Sequence, residues 1–217
     1  MFKLDNPIQN YAWGSHHALA KLLGAPSPSE KPEAELWLGA HPSAPSRVLP
    51  SGESLAAFIE RDPERVLGTD AHRKYGARLP FLLKVLAAES PLSLQAHPNS
   101  AQARAGFETE EARGVPITAS YRNYKDPNHK PELICALTPF SALCGFRGIP
   151  QTLELFRFLG GSLLKYVVEI LAELPNEAGL AQVFSTLMSA SPERKASLAR
   201  EVLDRATLLA AIEGPFQ

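Results

Sequence analysis

Three groups of side chains in this sequence have the types and spacing to do chemistry. The first is Ser93-Leu94-Gln95-Ala96-His97. In a strand, alternate residues share a face. Leu92, Leu94 and Ala96 are then expected to face a core, while Ser93, Gln95 and His97 project together from the other side. A carboxamide oxygen and an imidazole two residues apart suit a borderline divalent cation such as zinc. The same pattern also fits a strand with one solvated polar face, and this segment alone leaves both readings open.

The second group is Asp126-Pro127-Asn128-His129-Lys130-Pro131-Glu132. Asp-Pro-Asn is turn chemistry, which sets His129, Lys130 and Glu132 at the mouth of the apolar run Leu133 to Leu137. A carboxylate beside residues expected to be buried has to be paired or bound to a cation. In an extended chain Lys130 would share its pocket, and a lysine with a lowered pKa near a metal can serve as a base. The plainer alternative is a polar loop with a surface ion pair. The third group is Lys84, alone among apolar neighbours from Pro80 to Ala88. It either snorkels to a strand end or, if it points into a cavity, supplies a counter-charge for a phosphate.

Weaker signals come from Trp13, which can line a sugar pocket by stacking or pack in the core, and from Trp37, expected in the core. His41 ends a strand before Pro42, and His16 and His17 are expected on a surface helix. Cys135 and Cys144 sit in apolar runs and read as buried free thiols, too far apart for a Cys-x-x-Cys site.

The elements that have to position these groups change character near Pro150. Before it, short apolar runs are broken by Pro, Gly, Asn and Asp. Strands are expected over 34–40, the Ser46–Pro50 run, 79–88, 92–97, 131–137 and the Ser141–Phe146 run. Short helices are expected from His16 to Leu23, with Ser15 as cap and Gly24 after it, and over the two runs Ser54–Glu60 and Asp62–Gly68. Asp62 caps the second of these and Pro63 takes its first turn. Asn99 with Gln102 forms a capping-box pattern for a polar helix to about Arg113. Short strands separated by turns predict a β-sandwich or barrel. After Pro150 apolar residues recur at three-and-four spacing, which predicts a helical unit, with Ser191-Pro192 starting its last helix.

The 217 residues allow one sizeable core, or a domain with a smaller subdomain. A net charge of −1 argues against a nucleic-acid or anionic-membrane partner. No apolar stretch approaches the ~20 residues of a membrane-spanning helix, and the first residues lack a signal-peptide layout. The expected location is the cytoplasm.

Together and in this order, the segments Asn10–Ser15, Ala34–Pro42, Leu79–Leu86, Pro91–Asn99 and Asp126–Leu133 resemble the type I phosphomannose isomerase (mannose-6-phosphate isomerase) family. Ala136–Phe140 and Cys144–Arg147 continue the likeness. The pair Gln95-Ala96-His97-Pro98-Asn99 and Asn128-His129-Lys130-Pro131-Glu132 is highly specific. The resemblance implies a mainly β, cupin-type jelly-roll sandwich over residues 1–149, incomplete here, followed by an α-helical insertion over 150–217. It implies one zinc ion held by Gln95, His97 and Glu132, proton transfer by Lys130 or His129, and substrate contacts from Ser93 and Lys84, with Trp13 as a further pocket candidate.

The implied reaction interconverts mannose 6-phosphate and fructose 6-phosphate, with the full-length form a monomer. In the family a fourth ligand, a histidine, and a pocket arginine follow the helical insertion. No histidine follows His129 here, so both are expected outside these 217 residues. The chain by itself is then expected to expose unpaired strand edges and to aggregate. The alternative is a non-catalytic metal- or sugar-phosphate-binding cupin module.

Overall fold

The computed structural model describes residues 2–162 and 164–210. The chain divides into two compact units, Met1–Glu132 and Leu133–Gln217.

The first unit holds two three-stranded antiparallel sheets. One orders β1 (Lys3–Asp5), β4 (Arg47–Leu49) and β5 (Glu53–Ser54). The other orders β2 (Ile8–Gln9), β3 (Glu35–Leu38) and β6 (Leu83–Leu86), with β3 central. The β3–β6 register sets Leu36 opposite Val85 and Trp37 opposite Lys84. Alternation therefore gives the sheet two different faces. Leu36 packs with Leu19 of α1 (Ala18–Leu23) and with Ala87, next to Val85 and Leu38. Glu35, Trp37 and Lys84 occupy the other face.

The turn before α1 is held tightly against β3. A methyl group at Gly14 would lie 2.5 Å from the Ala34 nitrogen, so only glycine fits there. Ser15 Oγ accepts the amides of His17 and Ala18, and Gly24 (φ 68°) ends the helix in the left-handed region. α2 (Leu55–Arg61), α3 (Pro63–Leu67) and α4 (Thr69–Tyr75) follow β5, with Asp62 capping α3 through the Arg65 amide. α5 (Ser100–Ala112) starts from a complete capping box between Asn99 and Gln102.

The second unit contains α6 (Ile149–Leu159), α7 (Lys165–Glu173), α8 (Glu177–Met188) and α9 (Pro192–Ala210). Leu153, Val167, Leu171 and Val183 form its buried cluster, with Phe156, Leu180 and Leu187 against them. The Asn176 side chain caps α8. Among the described residues no helix is long and apolar enough to cross a membrane.

Several expected strands are absent. Residues 91–99 and 131–148 have no regular structure among the described residues, and the strand expected over 79–88 shortens to Leu83–Leu86. A strand exists only where a second strand takes up its N–H and C=O groups, and these segments pair with none. Leu94 (79% exposed) and Leu133 (97%) therefore face outward, and Leu92 is exposed as well, not directed to a core. Cys135 and Cys144 are exposed for the same reason, not buried.

Leu171 is completely buried among three helices of the second unit. Leu171→Ala is expected to cost about 2–5 kcal/mol of that unit's stability, read as a lowered midpoint in urea unfolding followed by circular dichroism.

Candidate functional site

The polar face of the β3–β6 sheet is organised around a buried carboxylate. Glu35 is 7% exposed. Its Oε2 accepts the Trp37 indole N–H at 2.7 Å and lies 3.3 Å from Lys84 Nζ. The lysine also sits 5.0 Å from the centre of the Trp37 ring, within cation–π range. Trp37 in turn meets the His41 ring edge-on at 4.8 Å. Lys84 is thus neither snorkelled nor solitary: cross-strand register and Glu35 fix it at the surface of the sheet. Trp37 is buried, as its apolar setting predicts.

His41 is more than a strand end. Burial first, then the nearby charges of Lys84 and Lys130, hold its imidazole below the usual histidine value, while Asp126 pulls the other way. Ser43 supplies its amide and hydroxyl to His41 Nδ1. Asp126 and Lys130 of the Asp126–Glu132 segment therefore lie within electrostatic reach of His41. Asp126 Oδ1 accepts the Asn128 amide at 2.9 Å, closing a local turn, and Asp126 Oδ2 pairs with Lys130 Nζ at 3.2 Å. Burial opposes ionisation of Asp126, but the Asn128 and Lys130 donors outweigh it and leave the carboxyl below its usual value.

His97 stands two residues before the α5 N-cap, and Glu132 ends the returning segment. Their side chains meet: His97 Nε2 and Glu132 Oε2 are 3.5 Å apart. That is long for a hydrogen bond. It is close to the separation of two donors on one tetrahedral zinc ion, about 3.4 Å for metal–ligand bonds near 2.1 Å. An imidazole nitrogen and a carboxylate oxygen are suitable zinc donors, so this pair fits the ion. Among the described residues no group of three His, Cys, Asp or Glu side chains converges. A third donor from this chain would have to be of another type, and the carboxamide of Gln95 lies two residues from His97.

Ser93, Gln95 and His129 are exposed. Trp13 is half-buried with its ring 5.7 Å from that of Tyr11.

Sequence reasoning missed Glu35 and Arg122. A charged residue in Glu35-Leu36-Trp37-Leu38 is the same kind of signal as Lys84 and was open to the same argument. Arg122 is 4% exposed. Its neighbours Tyr121 and Asn123 give no apolar contrast that would have marked it.

Comparison with known proteins shows the family. The family model of the phosphomannose isomerase type I catalytic domain matches residues 1–149, and the chain belongs to that family. The mannose-6-phosphate isomerase of Escherichia coli K12 is 44% identical over 198 residues, covering 90% of this chain and 50% of that protein. The human mannose-6-phosphate isomerase is 39% identical over 162 residues, covering 70% and 36%. The crystal structure of the Salmonella typhimurium mannose 6-phosphate isomerase, bound to fructose 6-phosphate and zinc, superposes with a TM-score of 0.85 at 42% identity. The match covers all of this chain and 54% of that one. The chain spans about half the length of the bacterial relatives it matches.

The charges around His41 make its titration a test of the arrangement. Lys84→Met is expected to raise the His41 midpoint toward the ordinary value, and Asp126→Asn to lower it further. Ring chemical shifts followed against pH by NMR measure both; unchanged midpoints would place those side chains away from His41.

Proposed function

We propose that this chain supplies the zinc-binding and proton-transfer side of a mannose-6-phosphate isomerase, interconverting mannose 6-phosphate and fructose 6-phosphate. The observation that carries this reading is the meeting of His97 and Glu132 at zinc-ligand spacing, inside the stretch that matches the family's catalytic domain. Gln95 is the third donor from this chain, and the remaining ligand comes from the half of the fold that this chain does not cover. The fold completed by that half is a cupin-type jelly roll. Residues 1–149 belong to it, and 150–217 form a helical insertion.

The reaction moves a proton between C2 and C1 of the sugar while the carbonyl passes from C1 to C2. The ion, when bound, supplies electrophilic stabilisation of the negative charge that develops on the sugar oxygens. Lys130 is the base that carries the proton, with His129 beside it in the same exposed segment. Lys84, fixed by Glu35, presents a cation to substrate oxygens, and Ser93 adds a hydroxyl donor. Trp13 lines the pocket with an aromatic face. The substrate is a small sugar phosphate, with neither nucleic acid nor membrane as partner. The whole enzyme is a cytoplasmic monomer.

Two measurements test the proposal. His97→Ala and Glu132→Gln are expected to weaken zinc binding by more than the roughly 100-fold that loss of an outer partner can cost, read by calorimetric titration of the metal-free chain. Lys130→Met is expected to keep the zinc and lower turnover of mannose 6-phosphate roughly 10²–10⁴-fold in a coupled assay. Loss of zinc with Lys130→Met would make that lysine structural. Zinc and mannose 6-phosphate binding without turnover, in the unsubstituted chain completed by the half of the fold it does not cover, would assign it to the binding-module class instead.

A further inference from the structure

The geometry points to a function for a residue outside the site: Arg122 is the positioning residue that returns the Lys130–Glu132 segment to His97. This rests on the metal-site reading above for its purpose, though not for its geometry. His97 and Glu132 lie at opposite ends of a long excursion. The chain leaves His97, runs through α5 for thirteen residues, about 20 Å, and has to come back the same distance. A returning segment without regular structure has no ladder to guide it, so it needs fixed points along the helix.

The first fixed point is at the far end of α5. Arg122, with only 1% of its side chain exposed, donates to Tyr124 O at 2.7 Å, to Val115 O, and to Glu111 Oε1 at 2.6 Å. Its guanidinium also lies 5.1 Å from the centre of the Phe107 ring and 3.7 Å from Glu110. Glu110 accepts the amides of Asn123 and Tyr124 at 3.1 and 2.8 Å. Those two amides are the main cause that holds the Glu110 carboxyl below its usual value. The planar five-donor fork of arginine suits this combination of carbonyls and carboxylate, and a lysine could not reproduce it.

The second fixed point is halfway along the helix. The Tyr124 ring occupies the place where a side chain on Gly106 would stand: a methyl there would lie 2.4 Å from it. Contacts therefore progress from Glu111 and Glu110, through Gly106, to His97 as the returning chain progresses from Arg122, through Tyr124, to Glu132. The return is antiparallel to the helix and directed at the metal pair. Arg122 touches neither metal ligand; it acts through the segment that carries one.

The test uses the full 217-residue chain and two readouts. The first is independent of metal: H97C and E132C are combined with C135S and C144S, and the rate of joining positions 97 and 132 by a short bifunctional thiol reagent is measured without zinc. Arg122→Met and Gly106→Ala are each expected to slow it about tenfold, with the far-UV circular dichroism unchanged. The second is zinc titration of the chain with its native His97 and Glu132, where the same substitutions should weaken binding about tenfold.

Equal joining rates with and without Arg122 overturn the proposal, whatever zinc does. Arg122-dependent joining in a chain that fails to bind zinc supports the strut and sinks the metal-site reading alone. If Arg122→Met fails to fold, Glu111→Gln at the exposed end of the network carries the test. It should slow joining in the same direction, and no slowing there or in Gly106→Ala overturns the proposal.

Discussion

A carboxylate buried in the middle of a sheet dictates how the polar face of the β3–β6 sheet is arranged. Glu35 lies on β3, which has a neighbour on each side, and it is removed from water. Such a group persists only with partners that satisfy its charge and its lone pairs. The antiparallel register provides one by setting Lys84 opposite Trp37 on the same face, and the Trp37 indole N–H provides the other. Sliding β6 by one residue would carry Lys84 to the apolar face that packs on Leu19 and leave Glu35 unpaired. A lysine in an apolar run, a tryptophan two residues after a glutamate and a histidine on the tryptophan edge are therefore one device.

The elements that the sequence made legible share a property: their signals are local. The Asn99–Gln102 capping box, Asp62 before Pro63, Gly24 after α1 and Ser191 before α9 all depend on hydrogen bonds within a few residues. The expected strand over 92–97 rests on alternation and the one over 131–137 on a short apolar run, and neither signal specifies a partner. A strand's partner is a distant segment, and no sequence window contains it. β1, β2 and β5 are only two or three residues long, too short to show a period; β4 is as short, and it is legible only as an apolar run ending at Pro50.

The candidate site divides along the same line. His97 and Glu132 were singled out from two separate segments, each by its own chemistry, and the structure brings their side chains together. What stayed hidden was how they meet. Glu110 and Glu111 look like the polar face of an exposed helix, and Arg122 looks like one more surface charge. Only the return of the chain along α5 makes them an anchor, and that path is a property of tertiary structure. Gly106 shows the limit well: a glycine inside a helical pattern costs stability, and its reason appears only when Tyr124 is seen to fill the space.

The two lysines differ in how firmly they are held, and that difference matches the division of labour proposed for them. Lys84 is paired with a carboxylate that is itself shielded, and it lies over an indole ring, so moving it would strand Glu35. Breaking such a pair is expensive. Lys130 is half-exposed and paired with Asp126 across a solvent-facing turn. A pair of that kind is worth about 0–1 kcal/mol, so Lys130 can leave its carboxylate at little cost and reach a substrate atom. A fixed cation suits the binding of an anion whose position has to be the same in every turnover. A loosely tethered amine suits a group that has to take up a proton at one carbon and deliver it to the next.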